Sequence, residues 1–183
     1  MRQAVLQPSD SIGPLDWFRR LPFEADASSE RMGWVGLQGA RYRAVPASEL
    51  SPPAMSHHRL ALFVRPPDEL DMKYDGVRRH VPPPAGAVSL VPAGSPARVR
   101  SSGRRDQLHI FLEPGLVERV AAEAFGLDPA RLTVPPLDGL DLPELRGEVS
   151  GAEVRDSGHL LKSRAALEMF LDVFQNGAEL RAR

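Results

Sequence analysis

The chain has 183 residues, of which 42% are hydrophobic, and this length allows one ordinary domain with a sizeable core. A formal net charge of -1 excludes a general attraction to nucleic acid or anionic membrane, and the lack of cysteine excludes disulfides, thiolate metal sites and cysteine nucleophiles. The amino terminus has no charged start followed by an apolar stretch, and no apolar run approaches membrane-spanning length, so we expect a cytoplasmic protein.

The chain begins with a polar segment and continues as a series of short β-type segments. Residues 1–32 carry scattered apolar anchors without a sustained hydrophobic period and are predicted to form an arm. From Gly33 to Glu113, closely spaced strands separated by turn signals predict a barrel or sandwich. Asp75-Gly76 is the strongest hairpin signal, because glycine accepts the positive φ of a two-residue turn. The predicted strands are 34–45, 59–65, 70–74, 77–81, 87–91, 97–101 and 107–112.

After the strands, the hydrophobic period changes to that of a helix. Residues 116–125 have helical spacing, with Pro114 in the first turn and Gly126 as the stop. Residues 127–145 are rich in proline and aspartate and are predicted to form a surface loop. A last helix is predicted over 160–174 and is a candidate for association. The segment 114–183 is therefore interpreted as helices and loop, with a candidate role in dimerisation.

The segment Gly86-Ala-Val-Ser-Leu-Val-Pro92-Ala-Gly94-Ser-Pro-Ala97 combines a strand with two turn signals. It resembles the second cupin motif, G-x5-P-x-G-x2-H, and therefore implies a cupin-type (jelly-roll) β-barrel. In metal-dependent cupins the closing histidine donates an imidazole nitrogen, and Ala97 cannot replace that donor.

The first cupin motif lacks its paired histidine ligands. Alignment on Gly76 puts Glu69 in the carboxylate place, whereas Phe63 and Arg65 stand in the paired histidine places. His57 and His58 are adjacent, so on a strand they point to opposite faces. We expect no bound metal and no cofactor.

From Gly33 to Gly126 the chain resembles the amino-terminal effector-binding domain of AraC-type transcription regulators. The resemblance depends on four stretches in combination. It implies a sensor domain that lacks the helix-turn-helix units of the family, because the remaining chain has no room for them. The four stretches are Ser56-His57-His58-Arg59-Leu60, Gly86 to Gly94, Leu108-His109-Ile110-Phe111-Leu112 and Val120 to Arg131.

Comparison with sugar-sensing relatives of that family identifies candidate ligand contacts at Gln107, His109 and Val99. Strand alternation places Gln107 and His109 on one face, so both could address one ligand, or they could satisfy their own polarity. Val99 stands where those relatives have a polar or aromatic contact. We therefore expect an effector less polar than a sugar, or no effector, as readily as a sugar. Arg98 could belong to a basic cluster that clamps an anion, although solvated hairpin arginines are the commoner explanation.

Two classes of function follow. The favoured one is a non-catalytic module that binds an unknown small-molecule effector, as a homodimer or as a heterodimer with a full-length regulator, without contacting nucleic acid directly. The alternative is a metal-dependent cupin isomerase or dioxygenase with a displaced site. An inactive truncated regulator is a third interpretation.

Overall fold

The computed structural model describes residues 11–74, 77–80, 83–125, 128–132, 134 and 137–141. This part of the chain is mainly β with antiparallel pairing, which confirms the predicted fold class at that level. The strands are β1 (Ala27–Ser28), β2 (Leu37–Val45), β3 (Ser48–Leu50), β4 (His58–Arg65), β5 (Glu69–Tyr74), β6 (Val77–Arg79), β7 (Ala87–Val91), β8 (Ala97–Ser102), β9 (Arg105–Leu112) and β10 (Leu137–Asp141). The α-helices are α1 (Pro14–Arg20) and α2 (Pro114–Phe125), and Pro129–Arg131 form a short 3-10 helix.

The described strands form two sheets. The larger sheet has the order β1-β2-β9-β4-β7-β10, and the smaller one has the order β3-β8-β5-β6. An apolar cluster joins the two sheets, because Phe63 and Val91 of the larger sheet pack with Leu70, Met72 and Tyr74 of the smaller one. We call the face of each sheet that carries these residues its inner face.

Two glycines make the turns around β7. Gly86 has φ of 84° and Gly94 has φ of 81°, values that a side chain with a Cβ rarely adopts. The amide of Gly94 donates to the carbonyl of Met55 at 2.8 Å, and the amide of Ser95 donates to the carbonyl of Pro92 at 3.3 Å. The turns predicted from this segment are therefore present, with β7 buried along its whole length between them.

The amino-terminal arm has more structure than its sequence predicts. Residues 14–20 form α1, and β1 pairs with β2. Trp17 is buried at 4% exposure, and Phe18 and Phe23 contact Phe111 and Tyr42 edge to face. A helix this short gains its stability from tertiary contacts rather than from a repeated pattern, so periodicity could not find it. The arm covers the inner face of β2 and β9.

The carboxy-terminal prediction is corrected in one segment. Residues 137–141, predicted as part of a loop, form β10, which pairs antiparallel with β7. Backbone hydrogen bonds to the edge of the sheet stabilise this strand. Because backbone hydrogen bonds do not depend on side chains, the segment need not show the alternation of apolar and polar residues that predicts a strand. The Asp75-Gly76 turn and the helix predicted over 160–174 lie outside the described residues.

The chain divides into two compact units. One comprises Met1–Pro114 and Val134–Glu148, and the other comprises Gly115–Thr133 and Val149–Arg183. The domain boundary predicted at residue 113 stays a prediction, and the first unit also includes the later segment Val134–Glu148. No described helix is long and apolar enough to cross a membrane.

Candidate ligand-binding site

Several polar side chains lie on the inner face of the larger sheet. Phe63 is paired with Gln107, and Ala61 is paired with His109. Directly paired residues share a face, so Gln107 and His109 lie on the same inner face as Phe63. Gln107 is 5% exposed and His109 is 6% exposed. The structure therefore brings these two predicted residues together on the inner face, not in solvent.

Tyr42 and His109 contact each other inside the fold. Their ring centroids are 5.3 Å apart in an edge-to-face arrangement. No described residue forms a hydrogen bond with the Tyr42 hydroxyl or with His109 Nδ1, although both atoms are buried. Burial strongly lowers the pKa of His109, and the positive charges of Arg59 and Arg105 lower it further, so the imidazole is neutral at pH 7.

Arg105 joins the two sheets at one end of this face. Its Nε donates to Gln107 Oε1 at 3.1 Å, and one terminal nitrogen donates to the carbonyl of Pro46 at 3.1 Å. It also donates to the hydroxyls of Ser101 and Ser48. Gln107 Oε1 is therefore engaged by a side chain of its own strand. Burial lowers the pKa of Arg105 to about 10.

Arg59 is the second buried cation of the inner face. It is 7% exposed, and its guanidinium carbon lies 5.8 Å from the centroid of the Trp17 ring. Burial lowers its pKa to about 10, so the group stays positively charged at neutral pH. Arg59 borders a small cavity of about 10 Å³, which is room for about one water molecule. The other lining residues are Pro52, Pro53, Met55, His57, Val91, Pro92, Ser95 and Ala97.

The adjacent histidines have separate environments. His57 lines the cavity, and its Nδ1 lies 2.9 Å from the Ser56 hydroxyl. His58 Nδ1 accepts a hydrogen bond of 3.0 Å from the amide of Ala93. Burial lowers the pKa of both imidazoles. They therefore add no positive charge beside Arg59 at neutral pH.

Val99 and Arg98 do not join the polar set. Val99 packs against the apolar cluster between the sheets, so it offers a ligand only an apolar contact. Arg98 is exposed, and its Nε donates to Glu49 Oε1 at 3.0 Å. Because neighbouring residues of a strand point to opposite faces, Arg98 cannot reach the inner face that Val99 occupies. The assignment of Arg98 to the ligand site is corrected on this ground.

The places of the cupin metal ligands do not form a metal site in this chain. Phe63 and Ala97 are buried in one apolar cluster, and Glu69 is exposed. Neither a phenyl ring nor a methyl group can donate an electron pair to a metal ion. In the part of the chain that the structure describes, no three His, Asp or Glu side chains are grouped to hold an ion.

Sequence reasoning missed two residues of this region, Tyr42 and Arg59, and it considered Arg105 only as a member of the basic cluster that includes Arg98. Arg59 lies in the β-type run His-Arg-Leu-Ala-Leu-Phe-Val, two positions before Ala61 and four before Phe63. An inward-facing arginine in that alternation was the available signal. Tyr42 gave no comparable signal, because a tyrosine in a strand is ordinarily a packing residue.

No protein-family model matches the chain, and no curated protein matches it. Among solved structures, it is similar to a cupin 2 conserved barrel domain protein from Salinispora arenicola, at 20% identity and a TM-score of 0.35 over 48% of this chain and 72% of that one. A cupin superfamily protein from Desulfitobacterium hafniense gives 20% identity and a TM-score of 0.37 over the same shares of 48% and 72%. An RmlC-like cupin from Shewanella frigidimarina gives 18% identity and a TM-score of 0.36 over 43% of this chain and 67% of that one.

Proposed function

We propose that the chain is a metal-free module that binds a small molecule and dimerises, built on a cupin-type β-barrel and related to the effector domain of AraC-type regulators. It carries out no chemical reaction and contacts no DNA itself. One observation carries the binding function: the Tyr42 and His109 rings contact each other in the interior, and no described residue satisfies the buried Tyr42 hydroxyl or the buried His109 Nδ1.

Buried polar atoms without partners are costly. A donor or acceptor that loses its water without gaining a hydrogen bond costs about 1–3 kcal/mol. A ligand that supplies the missing hydrogen bonds recovers this free energy, and the unsatisfied atoms become its specificity determinants. The neutral state of His109 favours a ligand group that shares a hydrogen bond with an uncharged imidazole.

The regulatory role follows from the resemblance. When a module without a DNA-binding unit pairs with a full-length regulator, the mixed dimer has one DNA-binding unit instead of two. Such a dimer occupies an operator of two half-sites more weakly than the regulator's own dimer does. The expected partners are therefore a second copy of this chain and an AraC-type regulator.

Ligand binding is tested by a thermal-shift screen of small polar metabolites with the full chain. We expect a saturable rise of the melting temperature for at least one compound, reduced in Tyr42→Phe and in His109→Leu. Ser56→Ala is the control, because its hydroxyl lies outside the Tyr42–His109 pair and contacts His57 and the Ile12 carbonyl. This function would be overturned if no compound raised the melting temperature, or if neither substitution reduced the rise.

The partner and the metal are tested separately. The tagged chain is co-expressed with an AraC-type regulator of the same genome, and co-elution in a defined stoichiometry is expected. Failure to associate removes the mixed-dimer role but leaves ligand binding standing. Stoichiometric iron, zinc or manganese in the purified chain would favour the metal-dependent cupin enzyme instead.

A further inference from the structure

The amino-terminal arm presents aromatic rings to the inner face of the larger sheet. The Phe18 ring meets Phe111 edge to face at 5.3 Å, and the Phe23 ring meets Tyr42 in the same way at 5.5 Å. The guanidinium carbon of Arg105 lies 5.8 Å from the centroid of the Phe23 ring. Both arm rings are only partly buried, so the positions that they occupy can be reached from solvent.

The arm leaves polar atoms of this contact without hydrogen bonds. Among the described residues, four buried side-chain atoms lack a partner: Trp17 Nε1, Gln38 Oε1, the Tyr42 hydroxyl and His109 Nδ1. Trp17 belongs to the arm and packs with Phe111, and Gln38 is paired with Phe111 on the inner face. An indole N–H can only donate and an amide oxygen can only accept, whereas a phenolic hydroxyl does both. The arm therefore supplies ring contacts to the inner face but not the hydrogen bonds that it could make.

We propose that the inner face binds a planar aromatic ligand with a polar substituent, in the position that the Phe23 ring of the arm occupies. The inference rests on the proposed function and names the ligand class of the same site. A ligand ring in this position keeps the contacts with the Tyr42 ring and the Arg105 guanidinium. Its polar substituent adds hydrogen bonds to Tyr42 or His109, which a phenylalanine side chain cannot form.

The position of Phe23 in the chain allows its ring to leave. Phe23 lies between the end of α1 at Arg20 and the start of β1 at Ala27, so its departure breaks no hydrogen bond of either element. The ligand needs no cavity of its own, because it takes the place of a side chain. The ring and the ligand then compete, and the apparent affinity is lowered by the fraction of molecules in which Phe23 occupies the position.

The contacts of the Phe23 position favour an aromatic ligand over an aliphatic one. A guanidinium over a ring face is attracted by the ring quadrupole, and a saturated ring offers no such face. Tyr42 meets Phe23 on one side and His109 on the other, each at less than 6 Å between ring centroids. A substituent on the ligand ring is thus directed toward the two residues that carry unsatisfied atoms.

The test compares phenol, benzene and cyclohexanol on the full chain, by titration calorimetry and ligand-observed NMR. Phenol has a ring and a hydroxyl, benzene has only the ring, and cyclohexanol has the hydroxyl without an aromatic face. We expect phenol to bind most tightly. Equal affinities for phenol and benzene would indicate a purely apolar void, and equal affinities for phenol and cyclohexanol would exclude an aromatic site. Either result would overturn the inference.

Phe23→Ala removes the competing ring and is expected to bind phenol on the order of 10-fold more tightly than the wild type. Leu21→Ala is the matched control, because Leu21 is an apolar side chain of the arm in the same clusters and its removal vacates no ring position. Its phenol affinity should stay at the wild-type value. An unchanged affinity in Phe23→Ala, or an equal gain in Leu21→Ala, would contradict competition at the Phe23 position.

Two further measurements keep the test independent of the folding of Phe23→Ala. Phe23→Leu retains an apolar side chain without a ring, and its phenol affinity should lie between those of the wild type and Phe23→Ala. Adding Tyr42→Phe or His109→Leu to Phe23→Leu should abolish the preference for phenol over benzene in at least one of the two combinations. A preference that survives both combinations would show that the hydroxyl of phenol binds elsewhere.

The two proposals can fail separately. A metabolite whose binding depends on Tyr42 and His109 but is not strengthened by Phe23→Ala would preserve the binding function and remove the competition with the arm. If no metabolite binds and phenol does not bind Phe23→Ala, both proposals are overturned.

Discussion

The Tyr42 and His109 rings lie edge to face at 5.3 Å, and each leaves one polar atom buried without a partner among the described residues. This pair links the fold to the proposed function, because the register of β2, β9 and β4 places it on the inner face. In the proposed function, each of the two residues contributes to packing through its ring and to recognition through its polar atom.

Removing the Tyr42 hydroxyl is therefore expected to leave the ligand-free protein as stable as before or more stable. Tyr42→Phe should raise the free energy of unfolding by between 0 and about 1 kcal/mol, because the deleted hydroxyl lost its water on folding without gaining a hydrogen bond. Ser101→Ala deletes a buried hydroxyl that accepts from Arg105, and it should cost about 1 kcal/mol. Urea unfolding measures both. A loss above about 1 kcal/mol in Tyr42→Phe would show that the hydroxyl has a partner.

Arg105 is expected to stabilise the junction between the sheets. Arg105→Met leaves Gln107, Ser48 and Ser101 without their donor, and it should lower the free energy of unfolding by about 3 kcal/mol. Its neighbour Arg104 is exposed, so Arg104→Met should stay within about 0.5 kcal/mol of the wild type. Similar losses for the two substitutions would contradict the bridging role.

Acid is expected to destabilise the protein through His109. Its pKa lies well below 6.5 in the folded chain and near 6.5 in the unfolded chain. The unfolded state therefore binds more protons below pH 6.5, and the stability present above that pH is lost as pH falls toward the folded pKa. One such histidine contributes a slope of about 1.4 kcal/mol per pH unit in that window. Chemical unfolding between pH 7 and pH 5 measures it.

His57 and His58 add to the same slope, because burial lowers both pKa values as well. His109→Gln is thus expected to flatten the dependence without abolishing it. An unchanged slope in His109→Gln would mean that the imidazole is solvated in the folded state.

Ala44 is expected to be a strained position. It has φ of 51°, at the point where the register of β2 with β9 shifts. Ala44→Gly should raise the free energy of unfolding by about 0.5–1 kcal/mol, because glycine adopts this backbone without a Cβ clash. Ala44→Val should lower it by at least as much. In thermal unfolding, the variant with glycine at position 44 should have the highest melting temperature and the variant with valine the lowest. The reversed order would show that Ala44 is not strained.

The strands were predictable from sequence where side chains alternate or turns carry glycine. All seven predicted strands are present, with bounds that shift by three residues or fewer. Strands β1, β3 and β10 were missed. Strands β1 and β3 have only two and three residues, which is too few to show a hydrophobic period, and β10 contains Asp138, Gly139 and Asp141, which are uncommon in strands. Such segments are held by backbone bonding to a partner that the sequence does not reveal.

The candidate site was predictable only in part. Alternation along β9 placed Gln107 and His109 on one face, but it could not show that Arg105 engages Gln107. Arg98 and Val99 are neighbours on one strand, so they could not both have faced the same interior. Arg59 and Trp17 meet across a large sequence separation, and a contact of that kind depends on the tertiary fold.

Strand β10 gives the β unit a discontinuous sequence, because Leu137–Asp141 pair with β7 after the chain has passed through α2. An expression fragment that ends after α2 would lack this neighbour of β7. One edge of β7 would then expose a row of unpaired backbone amides and carbonyls. Open edges of that kind recruit other chains into aggregates. Soluble production of the β unit therefore calls for a fragment that extends at least to Asp141.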